Sequence, residues 1–149
     1  EALQENVIKK GKPFLGICVG MQLMATRGLE HGIHAGFDWI PGEVVPMKPA
    51  NEDLKIPHMG WNELVIPSPS AQDNRHFVLR SAKNGTHYYF VHSFMFQCEY
   101  DHHVLGMTDY GGLMSAVVGK DNMVGVQFHP EKSQQDGLKL ISDFLQWKP

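Results

Sequence analysis

A cysteine set between glycines, and a histidine two residues from a glutamate, are the features of this chain best suited to covalent chemistry. Gly16, Cys18 and Gly20 lie in "PFLGICVGMQLM", where an apolar run turns into a helix-like stretch. A thiol at a strand-to-helix junction meets unpaired backbone N–H groups, which favour thiolate and lower its pKa. Flanking residues without Cβ permit a strained elbow and leave room for a carbonyl to approach the sulfur. The same cysteine could instead be a small apolar filler of a buried strand. Near the other end, "MVGVQFHPEKS" runs an alternating strand into His129, Pro130 and Glu131. If both strands end at one site, the imidazole meets the thiol and the carboxylate holds the other ring nitrogen, with Pro130 stiffening the turn. A solvated histidine beside a surface glutamate is the plain alternative, and it loses force once a candidate nucleophile is present.

The elements that must position these residues follow from periodicity and turn signals. "EALQENVIKKGKP" carries Leu3 and Val7 at i, i+4 and stops at Gly11 and Pro13, so the chain is expected to begin within a helix. A strand is expected over 14–18 and a helix over about 20–27, followed by the Gly- and Pro-rich loop "GLEHGIHAGFDWIPG". Short strands are expected around Val44, Leu64, Val78, Tyr88 to Phe96, Val104, Ala116 and Val124. A last helix spans 134–147, with Ser133 as N-cap, Asp136 three residues on, and Leu138, Ile141 and Leu145 as a core-facing stripe. The whole reads as a strand-rich α/β layer with a helix at each end.

Composition narrows the class. With 149 residues, 42% of them hydrophobic and 19% charged, the chain suits one globular domain with a real core. A net charge of −3, with no basic stretch interleaved with aromatics, argues against nucleic acid and against an acidic membrane surface. Two distant cysteines, in neither metal-ligand nor redox spacing, and no signal-like or membrane-spanning run fit a reducing, cytoplasmic setting. Nine histidines raise the possibility of a metal site, but no HExxH or paired CxxC spacing supports it.

"GICVGMQ" with "QFHPE" resembles the signature of class I glutamine amidotransferases, whose fold is a doubly wound, flavodoxin-like α/β domain. "KIPHMGWNEL", "YYFVHSF", "TDYGG" and "HPEKSQQDGL" are similar to the glutaminase subunits of imidazole glycerol phosphate synthase, of histidine biosynthesis, and the resemblance runs from Gly11 to the end. It implies that Cys18 attacks the carboxamide of L-glutamine, that His129 shuttles the proton and that Glu131 orients His129, with no cofactor. It further implies that Val19 N–H is one of two donors to the oxyanion and that Gly16, Gln22, His92, Ser93 and Phe94 border the substrate. Phe94 stands where the family usually has tyrosine, which removes a hydroxyl from the pocket edge.

By the same resemblance, ammonia passes to a (β/α)8 cyclase subunit docked against His58, Met59, Trp61, Tyr89 and Lys132. Read without the family, Gln22 is an exposed helix residue, His92 a satisfied core histidine, and Met59 and Trp61 core.

The resemblance also implies that further N-terminal strands, with a loop supplying the second oxyanion donor, precede Glu1. The chain then corresponds to the C-terminal three quarters of the domain, with little glutaminase activity of its own. The strand over 14–17 would then present an open apolar edge built from Phe14, Leu15 and Ile17, inviting self-association. Two other readings share these residues: a paralogue feeding ammonia to another synthase, and an inert chain that only binds its partner.

Overall fold

The computed structural model describes residues 1–67 and 75–149. Its centre is a four-stranded sheet with strand order β1-β10-β9-β8, formed by β1 (Phe14–Ile17), β10 (Met123–Val126), β9 (Leu113–Lys120) and β8 (Val104–Asp109). β1 and β10 run parallel, in a register that sets Gly16 opposite Gly125 and Ile17 opposite Val126. β10 is buried along its length and β9 from Met114 to Gly119, the pattern of strands covered on both faces. Among the described residues β1 pairs only with β10, so its outer edge carries no strand. Leu15 and Ile17 are partly buried against the core there.

A second sheet, ordered β3-β2-β4-β7, contains β2 (Arg27–Gly28), β3 (His34–Ala35), β4 (Gly42–Pro46) and β7 (Phe94–Cys98). A separate antiparallel pair joins β5 (His58–Glu63) to β6 (His87–His92). One apolar cluster gathers around Phe90, Leu140 and the stacked rings of Tyr88 and Phe128, 4.0 Å apart. The other gathers around Met21, Met24, Trp39, Ile40 and Phe96. The α/β layering expected from the sequence is present, and several elements differ in detail.

The opening helix exists, but over Gln4–Lys9 it is a π-helical segment closed by Lys10 N–H donating to the Glu5 carbonyl. Val7 is buried and Leu3 is exposed, so half of the expected pair packs. The helix after the elbow is shorter than expected: α1 covers only Val19–Gln22. The carbonyls that would extend it, those of Leu23, Met24 and Ala25, accept instead from the N–H groups of Phe37, Trp39, Ile40 and Asp38. The chain that should have continued the helix becomes β2, where Arg27 pairs with Glu43. β2 thereby straddles the end of the expected helix, and β3 appears inside what read as loop.

Val78 lies in a 3₁₀ turn, Phe77–Leu79, rather than a strand, because the His76 side chain accepts from Val78 N–H and Leu79 N–H bonds the His76 carbonyl. The run from Tyr88 to Phe96 breaks at Ser93 into β6 and β7, which belong to different sheets. The strand expected at Leu64 ends one residue earlier, at Glu63.

The last helix, α2, spans Gln134–Gln146 with Trp147 as its C-cap. Its buried residues are Gly137, Leu140 and Asp143, while Leu138 and Leu145 are 60% and 76% exposed and Ile141 is half-buried, so two of the three residues of the expected stripe face outward. Close approach fixes this rotation: a Cβ on Gly137 would sit 1.8 Å from the Pro130 carbonyl oxygen. On the same side Asp143 accepts from Arg80 Nε at 2.8 Å and from Ser81 N–H, tying the helix to the 77–79 turn. Ser133 does not cap α2 with its side chain, because its Oγ accepts from Tyr89 N–H and donates to the His129 carbonyl.

Candidate active site

The parallel pairing of β1 with β10 carries Cys18 and the His-Pro-Glu segment to the same carboxyl edge of the central sheet, where open α/β sheets hold their ligands. Cys18 N–H bonds the Val126 carbonyl at 2.8 Å, continuing the ladder by one residue before the chain turns. The turn is sharp: Cys18 has φ 51° and ψ −107°, a conformation costly for a side-chain-bearing residue and retained only where the surroundings enforce it. Gly16 supplies part of that enforcement, since a Cβ there would lie 2.6 Å from the Gly20 carbonyl oxygen. Gly20 itself looks onto open space, so the crowding falls beneath the elbow and not on its outer side.

The sulfur lies 3.8 Å from the Val91 carbonyl and 3.7 Å from Gln127 Nε2. β6 offers the Val91 carbonyl to the thiol and, two residues earlier on the same strand edge, the Tyr89 carbonyl to His129 N–H. His129 Nδ1 meets Glu131 Oε1 at 2.6 Å, with the ring mostly enclosed and the carboxylate near solvent. The carboxylate fixes which ring nitrogen carries the proton and leaves Nε2 for chemistry.

Burial pushes the Cys18 thiol above its ordinary pKa, opposed chiefly by hydrogen bonds from Val19 N–H and Gln127. This corrects the expectation of a depressed pKa: α1 is a single turn with little dipole to offer, and desolvation outweighs it. Proton removal therefore falls to a base, as in thiol and hydroxyl nucleophiles generally.

The residues expected around the substrate divide clearly. Gln22 Nε2 donates to the Phe94 carbonyl and to Gln127 Oε1, both at 3.2 Å. Phe94 thus contributes its carbonyl, and its ring joins the apolar cluster beside β4. Ser93 marks the break between β6 and β7, with its carbonyl accepting from Met47 N–H. His92 is buried, its Nδ1 donating to the Phe94 carbonyl at 2.8 Å. Val19 is 62% exposed at the mouth of the site.

Beside Val19 and Gln22 opens a cavity of about 370 Å³, also lined by Leu23, Glu30, His31 and His34. The sequence reading missed Glu30, whose only signal was an acidic residue in a glycine-rich loop, and Gln127, a polar residue inside an apolar strand run.

On the expected docking face Met59 and Trp61 are 61% and 48% exposed, and Trp61 meets Tyr89 edge-on at 6.0 Å. Lys132 is exposed in the 3₁₀ turn Pro130–Lys132 that follows His129. His58 departs from that face. Strand alternation turns it inward, where it is buried between the rings of Phe90 and Tyr110, with Nδ1 2.8 Å from His92 Nε2. Burial and the neighbouring His92 lower the His58 pKa to about 4.

Known proteins place this arrangement in a family. The chain is 54% identical over 149 residues to the imidazole glycerol phosphate synthase subunit HisH of Cereibacter sphaeroides, and 56% identical over 149 residues to that of Rhodopseudomonas palustris. It spans 68% of the length of each of them, and each alignment takes in the whole of this chain. A solved glutamine amidotransferase from Thermotoga maritima shares the fold at a TM-score of 0.61 and 21% identity, covering 97% of this chain and 52% of that one. Residues 1–147 match the family described as glutamine amidotransferase class-I, and the chain belongs to that family.

Proposed function

We propose that this chain is the glutaminase of an ammonia-transferring pair in histidine biosynthesis, with Cys18, His129 and Glu131 as its catalytic residues. The observation that carries the reading is the β1–β10 pairing, which brings a strained cysteine elbow to the same sheet edge as a hydrogen-bonded His–Glu pair. Cys18 Sγ attacks the carboxamide carbon of L-glutamine as its proton passes to His129 Nε2. The tetrahedral oxyanion accepts from Val19 N–H. His129 returns the proton to the departing nitrogen, the C–N bond breaks, and ammonia leaves a γ-glutamyl thioester. Water, deprotonated by His129, then attacks the thioester; the C–S bond breaks, and glutamate and the free thiol are regenerated. Glu131 keeps His129 in the tautomer this shuttle needs. Glu30, at the cavity beside Gln22, is the carboxylate placed to take the α-ammonium of glutamine.

The relatives are named as subunits of a synthase, which supports a second chain as ammonia acceptor, here a (β/α)8 cyclase. The exposed Met59 and Trp61 with Tyr89 offer an aromatic core for that interface, and Lys132 a charge at its rim. The strand-free edge of β1 supports self-association of this chain when it is alone. Two unpaired thiols suit a reducing cytoplasm. A diazo-ketone analogue of glutamine tests the reading: it should alkylate Cys18 and spare Cys98. Equal labelling of both cysteines overturns the catalytic assignment.

A further inference from the structure

We infer that Gln127 is a positioning residue for the nucleophile, a buried amide whose N–H is aimed at Cys18 Sγ to receive the thiolate. The inference rests on the functional reading above. Gln127 is fully buried, its backbone N–H bonds the Ala116 carbonyl, and its side chain reaches the sulfur at 3.7 Å.

The orientation of this amide is fixed from a group that cannot donate. The Phe94 carbonyl only accepts, so the Gln22 atom facing it is Nε2. The same Gln22 Nε2 faces Gln127, whose contacting atom must therefore be Oε1. Gln127 is left with Nε2 toward the sulfur. A second chain converges on the same carbonyl. His92 Nδ1 donates to it, which makes His92 Nε2 an acceptor from His58 Nδ1 and leaves His58 Nε2 to accept from Asn62, itself held by the Asp109 carbonyl. Both chains hold the Phe94 carbonyl in place, and through Gln22 they hold Gln127.

The sulfur's contacts sort by protonation state. The thiol donates to the Val91 carbonyl, and this contact favours the neutral form. A thiol sulfur is a weak acceptor, so the buried Gln127 N–H is poorly satisfied until the proton leaves. A thiolate accepts strongly and loses the Val91 contact, and the amide then gains its full partner. The donor is in place before the charge appears, so little reorganisation accompanies its formation. Other charges act on Cys18 from the turn after His129, Glu131 opposing the thiolate and Lys132 favouring it, and on β6 His92, next to Val91, is influenced in turn by His129.

Gln127→Met keeps the length, removes the donor and leaves Gln22 its Phe94 partner. The rate of Cys18 alkylation by iodoacetamide, followed against pH, should show a midpoint about one unit higher than in the parent chain, about a tenfold loss of thiolate at a given pH. Cys98 in the same sample should not change. An unmoved Cys18 midpoint, whatever happens to Tm, overturns the inference, since a merely structural role alters stability and not this titration. A measurement on the unsubstituted chain keeps the test open should the variant fail to fold. The Gln127 side-chain amide resonance should shift with the midpoint of Cys18 alkylation and stop titrating once Cys18 is capped; an amide that ignores the thiol overturns the inference too. Diazo-ketone labelling separates the failures: labelled Cys18 with an unmoved midpoint removes only the Gln127 role, and unlabelled Cys18 removes the functional reading.

Discussion

Cys18 and Cys98 are both half-buried free thiols, and burial raises the pKa of both, yet their surroundings differ. Cys98 closes β7 in regular register opposite Gly42, and burial drives its thiol up to about 11 despite a hydrogen bond from Ser115. Cys18 sits one residue past a strand end at a positive φ, with Val19 N–H and the Gln127 amide opposing the cost of burial. Exposure does not separate the two. What separates them is a positive-φ elbow at a strand end and two donors, Val19 N–H and the Gln127 amide, where Cys98 has regular strand backbone and Ser115 alone.

The largest expected effect breaks the comparison at the atom itself. Cys18→Ala should lower glutamine hydrolysis, assayed with the synthase partner, by at least about 10³-fold, and Cys98→Ala should leave it within about twofold. Comparable losses in the two variants would dissolve the distinction. Next, Gly16→Ala should strain the elbow against the Gly20 carbonyl and destabilise the chain by about 1–3 kcal/mol in urea unfolding, with slower Cys18 alkylation and unchanged Cys98. A neutral result would mean that the elbow does not need the close approach.

The smallest effect is on acid stability. His58 is neutral in the fold with its pKa lowered to about 4, and His92 is lowered as well, so folding favours the unprotonated pair. That contribution is complete above about pH 6.5 and is lost as pH falls toward 4. Relative to the intrinsic exchange rate at each pH, amide protection should therefore fall on acidification in β6 near Val91 before it falls in β7 near Cys98. Protection that declines first at Cys98 would reverse the assignment.

The elbow was legible because its signal is local: an apolar run, a glycine on either side, and a single cysteine. β10 was legible for the same reason, four apolar or glycine positions leading into a proline turn. What escaped the sequence was decided by distant backbone. The carbonyls of Leu23, Met24 and Ala25 turn from helix to loop only because residues 37–40 return to meet them. α2 offers two apolar stripes at helical spacing, one through Leu138 and Leu145 and one through Leu140 and Phe144, and nothing local chooses between them. The choice is made by Gly137 beneath Pro130. Ser133 had the right type and place for a cap, but β6 and the His129 carbonyl claimed its hydroxyl. His58 looked like a docking residue beside Met59, and strand alternation sent the two to opposite faces.

The contact between Gly137 and Pro130 also bears on engineering. Replacing a glycine in the middle of a helix by alanine is a routine route to thermostability, with gains of about 0.4–1 kcal/mol where the backbone tolerates it. Position 137 looks like such a site in a sequence-based design screen. Here the added methyl would press on the carbonyl of the residue between His129 and Glu131, so the same change would displace the turn that presents the imidazole. A library that stabilises α2 while holding position 137 as glycine would keep heat resistance and turnover from trading against each other.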